Sequence, residues 1–214
     1  MVSVSAFEAV LWDYGGVFTP SPFGAAHAYA TAQGVDPDTM VRIVFGTYDA
    51  DTDHAWHQLE RGELSFIDAL TQIKADAEAA GFRFDTGEMF SGMVADDVDR
   101  TVVTDAVRAV RARGLRTAIV TNNIREYGDA WRSRLAIDEL FDLVVDSCEE
   151  GVRKPDPAIY LTALERLGVV DPGRAIFLDD FAGNIDAAQA VGMRGILVGP
   201  DPRPALDELD ALLA

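Results

Sequence analysis

Residues 9–18 read AVLWDYGGVF. Four apolar residues, Ala9 to Trp12, run into Asp13, and Tyr14, Gly15 and Gly16 follow before the chain turns apolar again. Alternation would mark a strand with one wet face. An unbroken apolar run of this length, bounded by glycines, marks a strand buried on both faces, as in a parallel sheet. The pattern recurs along the chain. RTAIV (116–120) runs into Thr121, FDLVV (141–145) into Asp146, AIFL (175–178) into Asp179 and GILV (195–198) into Gly199.

Helical segments separate these runs. Thr104 to Arg113 carries Ala106, Val107 and Val110 on one face and stops at Gly114. Asp156-Pro157 reads as an N-cap followed by proline at the first helical position, and that helix runs to Gly168. Asn184 to Val191 is halted by Gly192. Strand and helix alternate, which predicts an α/β fold: a Rossmann-like parallel sheet in three layers with right-handed crossovers.

One interval is too long for that rhythm. About a hundred residues separate Asp13 from Arg116, where a crossover needs only a dozen or more. Within it, Asp36-Pro37 opens a helix, and Ser65-Phe66-Ile67-Asp68 resembles a capping box opening another that Gly81 stops. The expected organisation is a core of residues 1–18 plus 95–214 and an inserted small helical cap subdomain over residues 19–94.

Composition bounds the function. The 214 residues carry a net charge of −18, with 49% hydrophobic and 25% charged residues. So acidic a chain is repelled by nucleic acid and by anionic membrane, so neither is expected as a partner. The N-terminus lacks a basic n-region, and its apolar run is too short for a signal peptide. No stretch approaches the ~20 apolar residues of a spanning helix. The single cysteine, Cys148, excludes an internal disulfide and suits a reducing compartment, so a cytoplasmic location is expected. Nothing here sets the oligomeric state.

In an open parallel sheet, ligands bind outside the carboxyl ends of the strands. Here those ends carry Asp13, then Thr121-Asn122-Asn123, then Lys154 in GVRKPDP, then Asp179-Asp180. Clustered acids bind a hard cation through oxygen, and Mg²⁺ fits. Lys154 and such a cation together neutralise an anionic ligand, and Thr121 offers a hydroxyl. These are the parts for phosphoryl transfer, with Asp13 as nucleophile forming an aspartyl-phosphate. Each residue has a plainer reading: a turn-forming aspartate, a surface lysine, a solvated acidic pair. Their coincidence at one sheet edge favours the chemical one.

The same residues resemble the haloacid dehalogenase (HAD) superfamily over the whole chain. LWDYGGVF matches its first motif, VTNN the second, GVRKPDPAIY the third and FLDDFAGNIDAAQAVGM the fourth. The third and fourth are similar to those of the subgroup containing the N-terminal phosphatase domain of soluble epoxide hydrolases and sugar-phosphate phosphatases. The resemblance implies a Mg²⁺-dependent phosphomonoesterase acting on a small phosphorylated metabolite. Asp13 would be nucleophile and metal ligand. Thr121 and Asn122 would bind the phosphoryl group, and Lys154 would stabilise nucleophile and phosphate. Asp180 and the Gly15 carbonyl would complete the metal site, supported by Asp179 and Asn184. FTPSPF (18–23) would be the flap leading into the cap.

One position departs from the family pattern. Most family phosphatases carry a second aspartate two residues after the nucleophile, as general acid and base, and here that residue is Gly15. Tyr14 is a poor stand-in, because strand neighbours point to opposite faces. The gap leaves two alternatives: a dehalogenase, or a weakly active or inactive phosphate-ligand binder. The family's dehalogenases lack both the metal and the Asp-Asp pair, so LDDFAGN favours the phosphatase. In the cap, His54, Trp56 and His57 are expected as a packed tryptophan and two partly exposed helix histidines.

Overall fold

The computed structural model describes residues 6–91 and 99–214. The expected junction at 94/95 lies outside them. The chain begins with β1 (Ala9–Trp12) and enters five helices: α1 (Pro22–Gln33), α2 (Pro37–Val44), α3 (Ala55–Glu60), α4 (Phe66–Ala79) and α5 (Thr86–Ser91). Then follow α6 (Thr101–Ala112), β2 (Arg116–Thr121), α7 (Gly128–Arg132), α8 (Ile137–Leu140) and β3 (Leu143–Asp146). The chain continues through α9 (Ser147–Glu150), α10 (Pro157–Leu167), β4 (Ala175–Asp179), α11 (Ala182–Ala190), β5 (Arg194–Leu197) and α12 (Arg203–Leu212). All strand pairings are parallel, in the order β3-β2-β1-β4-β5.

The unbroken apolar runs are explained by this layering. Val10, Trp12, Ile119, Ile176 and Leu178 pack with Val103 and Val107 of α6 and Leu209 of α12. Their neighbours Ala9, Leu11, Ala118, Val120 and Phe177 face the other way, onto Ile159, Ala163 and Leu164 of α10 and Ala188 of α11. Successive strand residues point to opposite faces, so a strand covered on both must be apolar throughout.

Caps fix the helix ends much as the sequence suggests. Asp36, Ser65 and Asp156 accept from the N–H groups of Thr39, Asp68 and Ala158. Gly168 ends α10 at φ 70°, a left-handed cap that only glycine adopts without strain. Several boundaries differ from the sequence reading: α11 starts at Ala182 rather than Asn184, β5 is shifted one residue back to Arg194–Leu197, and two others have visible causes. α6 starts three residues early, where Asp99 Oδ1 takes the Thr101 N–H at 3.0 Å. β3 starts late, because Phe141 turns into the core and the Asp142 carboxylate takes the Thr117 N–H at 2.8 Å.

Helices α1 to α5 pack around their own apolar cluster, including Met40, Phe45, Trp56, Leu59 and Ile73. Trp56 is buried there as expected. His57 is not: it is fully buried, and burial and Arg153 push its imidazole down to about 3, so it stays neutral. The expectation of two partly exposed histidines holds only for His54, which caps α3 by accepting from Trp56 N–H at 3.1 Å.

This helical cluster docks on the sheet through buried charge. Glu60, at the end of α3, is 3% exposed and Arg153 is 0% exposed. Arg153 Nε lies 2.7 Å from Glu60 Oε2, and its guanidinium stacks over Tyr48 at 4.7 Å. The other Glu60 oxygen accepts from Tyr48 at 2.5 Å and Trp56 Nε1 at 2.8 Å, and Ser147 Oγ donates to the Glu60 carbonyl at 2.6 Å. Breaking such a pair strands a charge in apolar surroundings. Glu60→Met or Arg153→Met is expected to cost about 3–5 kcal/mol each, and the double variant clearly less than the sum. Urea unfolding checks this, and single-variant losses under about 1 kcal/mol would contradict the buried pairing.

Candidate active site

The register that pairs Trp12 with Leu178 brings Asp13 beside Asp179, and the Asp13 N–H donates to the Leu178 carbonyl at 2.8 Å. β1 and β4 flank the point where the strand order reverses, the place where open α/β sheets form a crevice. Lys154 enters from the loop before α10. Its Nζ sits 2.8 Å from Asp13 Oδ1 and 2.7 Å from Asp179 Oδ2. Asp13, Lys154 and Asp179 are all buried, and Asp180 completes a cluster in which the three aspartates each present an oxygen within 4.8 Å of the others.

Three carboxylates against one ammonium leave a deficit of positive charge, and the titration of the groups reflects it. Burial, opposed by Lys154 and reinforced by Asp179 and Asp180, holds Asp13 well above the usual carboxylate range. Asp180 is pushed up to about 7, first by burial and then by Asp179, with Ser21 and Lys154 opposing. Lys154 stays protonated: its two carboxylate partners overcome its own burial and raise its pKa.

The residues fit a divalent cation. Asp179 is fully engaged, with Oδ1 accepting from the Phe181 N–H at 2.8 Å and Asn184 Nδ2 at 3.1 Å, and Oδ2 accepting from Lys154 and from Asn184 at 3.0 Å. The Asp13 contacts from Lys154 and the Tyr14 N–H both fall on Oδ1. Asn184 Oδ1 is buried with no partner among the described residues, an acceptor waiting for a donor. Asp13 and Asp180 therefore have oxygen to offer a cation, while Asp179 and Asn184 hold the frame.

The two glycines of AVLWDYGGVF have different reasons. At Gly16, φ is +71° and a Cβ would lie 2.0 Å from Asp180 Cγ, so backbone and carboxylate both demand glycine. At Gly15 the nearest atom to a Cβ is Pro22 Cδ at 4.0 Å, so no close contact bars a side chain there.

Thr121, 1% exposed at the end of β2, faces a cavity of about 730 Å³ between the sheet edge and the helical cluster. Gly15, Asn122 and Glu60 line the same space. The Asn122 side chain is committed to Lys154, donating to its carbonyl at 3.0 Å and accepting its N–H at 2.7 Å. Among the described residues neither His54 nor His57 lines the cavity. Cys148 is buried, and burial and Asp146 push its thiol up to about 12, which makes it inert. Glu60, on the far wall, carries no local motif, and its partner Arg153 sits in the third motif without a pattern that marks it for burial. The one hint in the sequence is a second basic residue directly before Lys154.

Comparisons with known proteins bear on the family and the fold. Over 97% of its length the chain is 34% identical to acyl-CoA dehydrogenase family member 10 of Mus musculus, and over 96% it is 30% identical to bifunctional epoxide hydrolase 2 of the same species. It spans only 19% and 38% of those two proteins. A phosphorylated carbohydrates phosphatase of Thermotoga maritima is 31% identical, with 88% of this chain and 83% of that one covered. A sesquiterpene phosphatase of Aspergillus oryzae is 28% identical, with 90% of both covered. Among solved structures, a dehalogenase superposes with a TM-score of 0.66 at 18% identity over 99% of both chains. A Bacteroides thetaiotaomicron enzyme in complex with magnesium and inorganic phosphate gives 0.59 at 17% identity over 91% and 95%. These two likenesses speak to the fold. The sequence carries the assignment further, since the profile of haloacid dehalogenase-like hydrolases matches residues 7–192, from the first strand to the end of the fourth motif, and the chain belongs to that family of hydrolases.

Proposed function

We propose that the protein is a Mg²⁺-dependent phosphomonoesterase in which Asp13 attacks the phosphorus of a small phosphorylated metabolite and carries an aspartyl-phosphate that water then hydrolyses. The observation that carries this reading is the cluster of Asp13, Asp179 and Asp180 around a single ammonium. It lacks two positive charges, which a divalent cation supplies.

In this reading the Asp13 carboxylate supplies the attacking oxygen, oriented by the Lys154 and Tyr14 N–H contacts to its Oδ1. Lys154 offsets the negative charge that develops in the transition state; Asp179 keeps its ammonium in place and Asn122 holds its backbone. The Thr121 hydroxyl and the Asn122 backbone orient the phosphoryl oxygens. Asp13, Asp180 and the Gly15 carbonyl would hold Mg²⁺, which when bound screens carboxylate from phosphate and polarises the phosphoryl oxygens. Residues 19–94 act as a cap that keeps bulk water from the reacting groups. With Gly15 in place of an acid, leaving-group protonation falls to water, and turnover is slow.

With Mg²⁺ present, phosphate release from p-nitrophenyl phosphate is expected to fall by roughly 10³-fold or more in Asp13→Asn. Equal activity in wild type and variant would remove Asp13 from the chemistry. Halide release from 2-chloropropionate without metal would overturn the phosphatase reading altogether.

Gly15→Asp restores an acid where there is room for one, and turnover is expected to rise, by up to about 10²-fold. No gain in a folded variant would show that the site already has another proton source.

Metal binding has a signature apart from turnover. Asp180 titrates near 7 when folded and near 3.8 when unfolded, so the metal-free protein binds more protons in the folded state between those values. Its stability contribution is present below pH 4 and is lost as pH rises through 7. Mg²⁺ favours the ionised form, so it is expected to raise the melting temperature more at pH 7.5 than at pH 5, and Asp180→Asn to blunt that difference. Thermal melts at the two pH values measure it.

A further inference from the structure

The relatives named above act on chemically opposite phosphates, a carbohydrate and a sesquiterpene. The cavity wall distinguishes the two kinds of leaving group. Building on the phosphatase reading, we infer that the alcohol released is apolar: the substrate is the phosphate monoester of a hydrocarbon-like alcohol.

The space beyond Thr121 is about 730 Å³, within the range of roughly 300–1,000 Å³ that holds an organic ligand. Its lining is dominated by aromatic and aliphatic groups. Tyr14 lies 4.7 Å from Trp131 and stacks near Phe18 on the sheet side, while Phe45, 4.9 Å from Trp56, stands on the helical side.

Most of the polar side chains in that lining are committed elsewhere: the Thr19 hydroxyl turns to the Pro20 carbonyl and Asn123 Oδ1 takes the Ile124 N–H. Both Glu60 oxygens are taken, by Arg153 on one and by Tyr48 and Trp56 on the other. That uses the Tyr48 hydroxyl and the indole N–H of Trp56 as well. Asn122 spends its amide on Lys154, and Arg100 donates to the carbonyls of Gly16 and Val17 at 3.0 and 3.1 Å. The exposed Tyr127 and Arg134 stand on the rim, and Thr121 belongs to the phosphoryl end. A polyol placed here would trade its water for a wall with little to offer its hydroxyls, and buried hydroxyls without partners are costly. A hydrocarbon loses nothing by the same transfer and gains by its burial.

The test is a series of n-alkyl phosphates from butyl to octyl, with glucose 6-phosphate and p-nitrophenyl phosphate, assayed with Mg²⁺. The specificity constant kcat/KM is expected to climb about fourfold for each added methylene, with glucose 6-phosphate below butyl phosphate. A flat series, or glucose 6-phosphate above octyl phosphate, would overturn the inference. Phe18→Asn is expected to flatten the series and Phe18→Leu to keep its slope, which separates a lost apolar wall from a damaged fold. If no compound in the panel is hydrolysed, the phosphatase reading is what has failed. Calorimetry with n-octylphosphonate and methylphosphonate then decides the wall on its own: octylphosphonate at least roughly tenfold tighter supports it, and equal affinity overturns it.

Discussion

Two aspartates share one buried ammonium at the centre of this molecule and a third lies beside them, and like charges so close together are tolerated only where something holds them. The sheet does much of the holding. Asp13 and Asp179 follow paired strand positions in β1 and β4, so their separation is set by the ladder rather than by side-chain choice. Lys154 is clamped between them, and Asn184 and the Phe181 N–H fix Asp179 from the far side. Carboxylates packed this closely cost folding energy, and that tension links the stability of this hydrolase to the layout of the acidic cluster.

The helical insert closes the other side of the space. Its internal cluster needs no help from the sheet to bury Met40, Phe45 and Ile73. Beside ring contacts of Phe23 and Tyr48 with Phe181, it is tied to the sheet by polar, specific contacts: Glu60 to Arg153, Ser147 to the Glu60 carbonyl, and the Glu126 carboxylate to the Phe66 N–H at the start of α4. Polar docking of this kind sets orientation, whereas an apolar face would tolerate sliding. It also consumes hydrogen-bonding capacity that would otherwise line the cavity.

Most of the fold was legible in the sequence because the informative signals were local. Unbroken apolar runs ending in Asp13 and Asp179 announced strands covered on both faces, and Asp36, Ser65 and Asp156 announced helix starts that the caps bear out. The boundaries that moved did so for tertiary reasons: Phe141 is strand-like by type but is drawn into the core beside Phe18. The acidic cluster was legible as well, since a parallel sheet sends its strand ends to one edge. The Glu60–Arg153 pair was not, because ninety-three residues separate the partners and neither charge sits in a pattern that forecasts burial. The same blindness made His57 look exposed, when Arg153 and a fully buried setting keep it neutral.

Arg153 and Lys154 are consecutive residues, one gripping the helical cluster and the other Asp13. A single peptide unit thus joins the docking contact to the buried Lys154 ammonium, with Asn122 bracing it from just beyond β2. The insert is for this reason not an interchangeable module. A cap transplanted from another member of the family would need an acid where Glu60 stands, or it would leave a buried guanidinium pulling on the backbone of the lysine beside it. Exchange of this helical segment is here constrained by a buried ion pair on the sheet side.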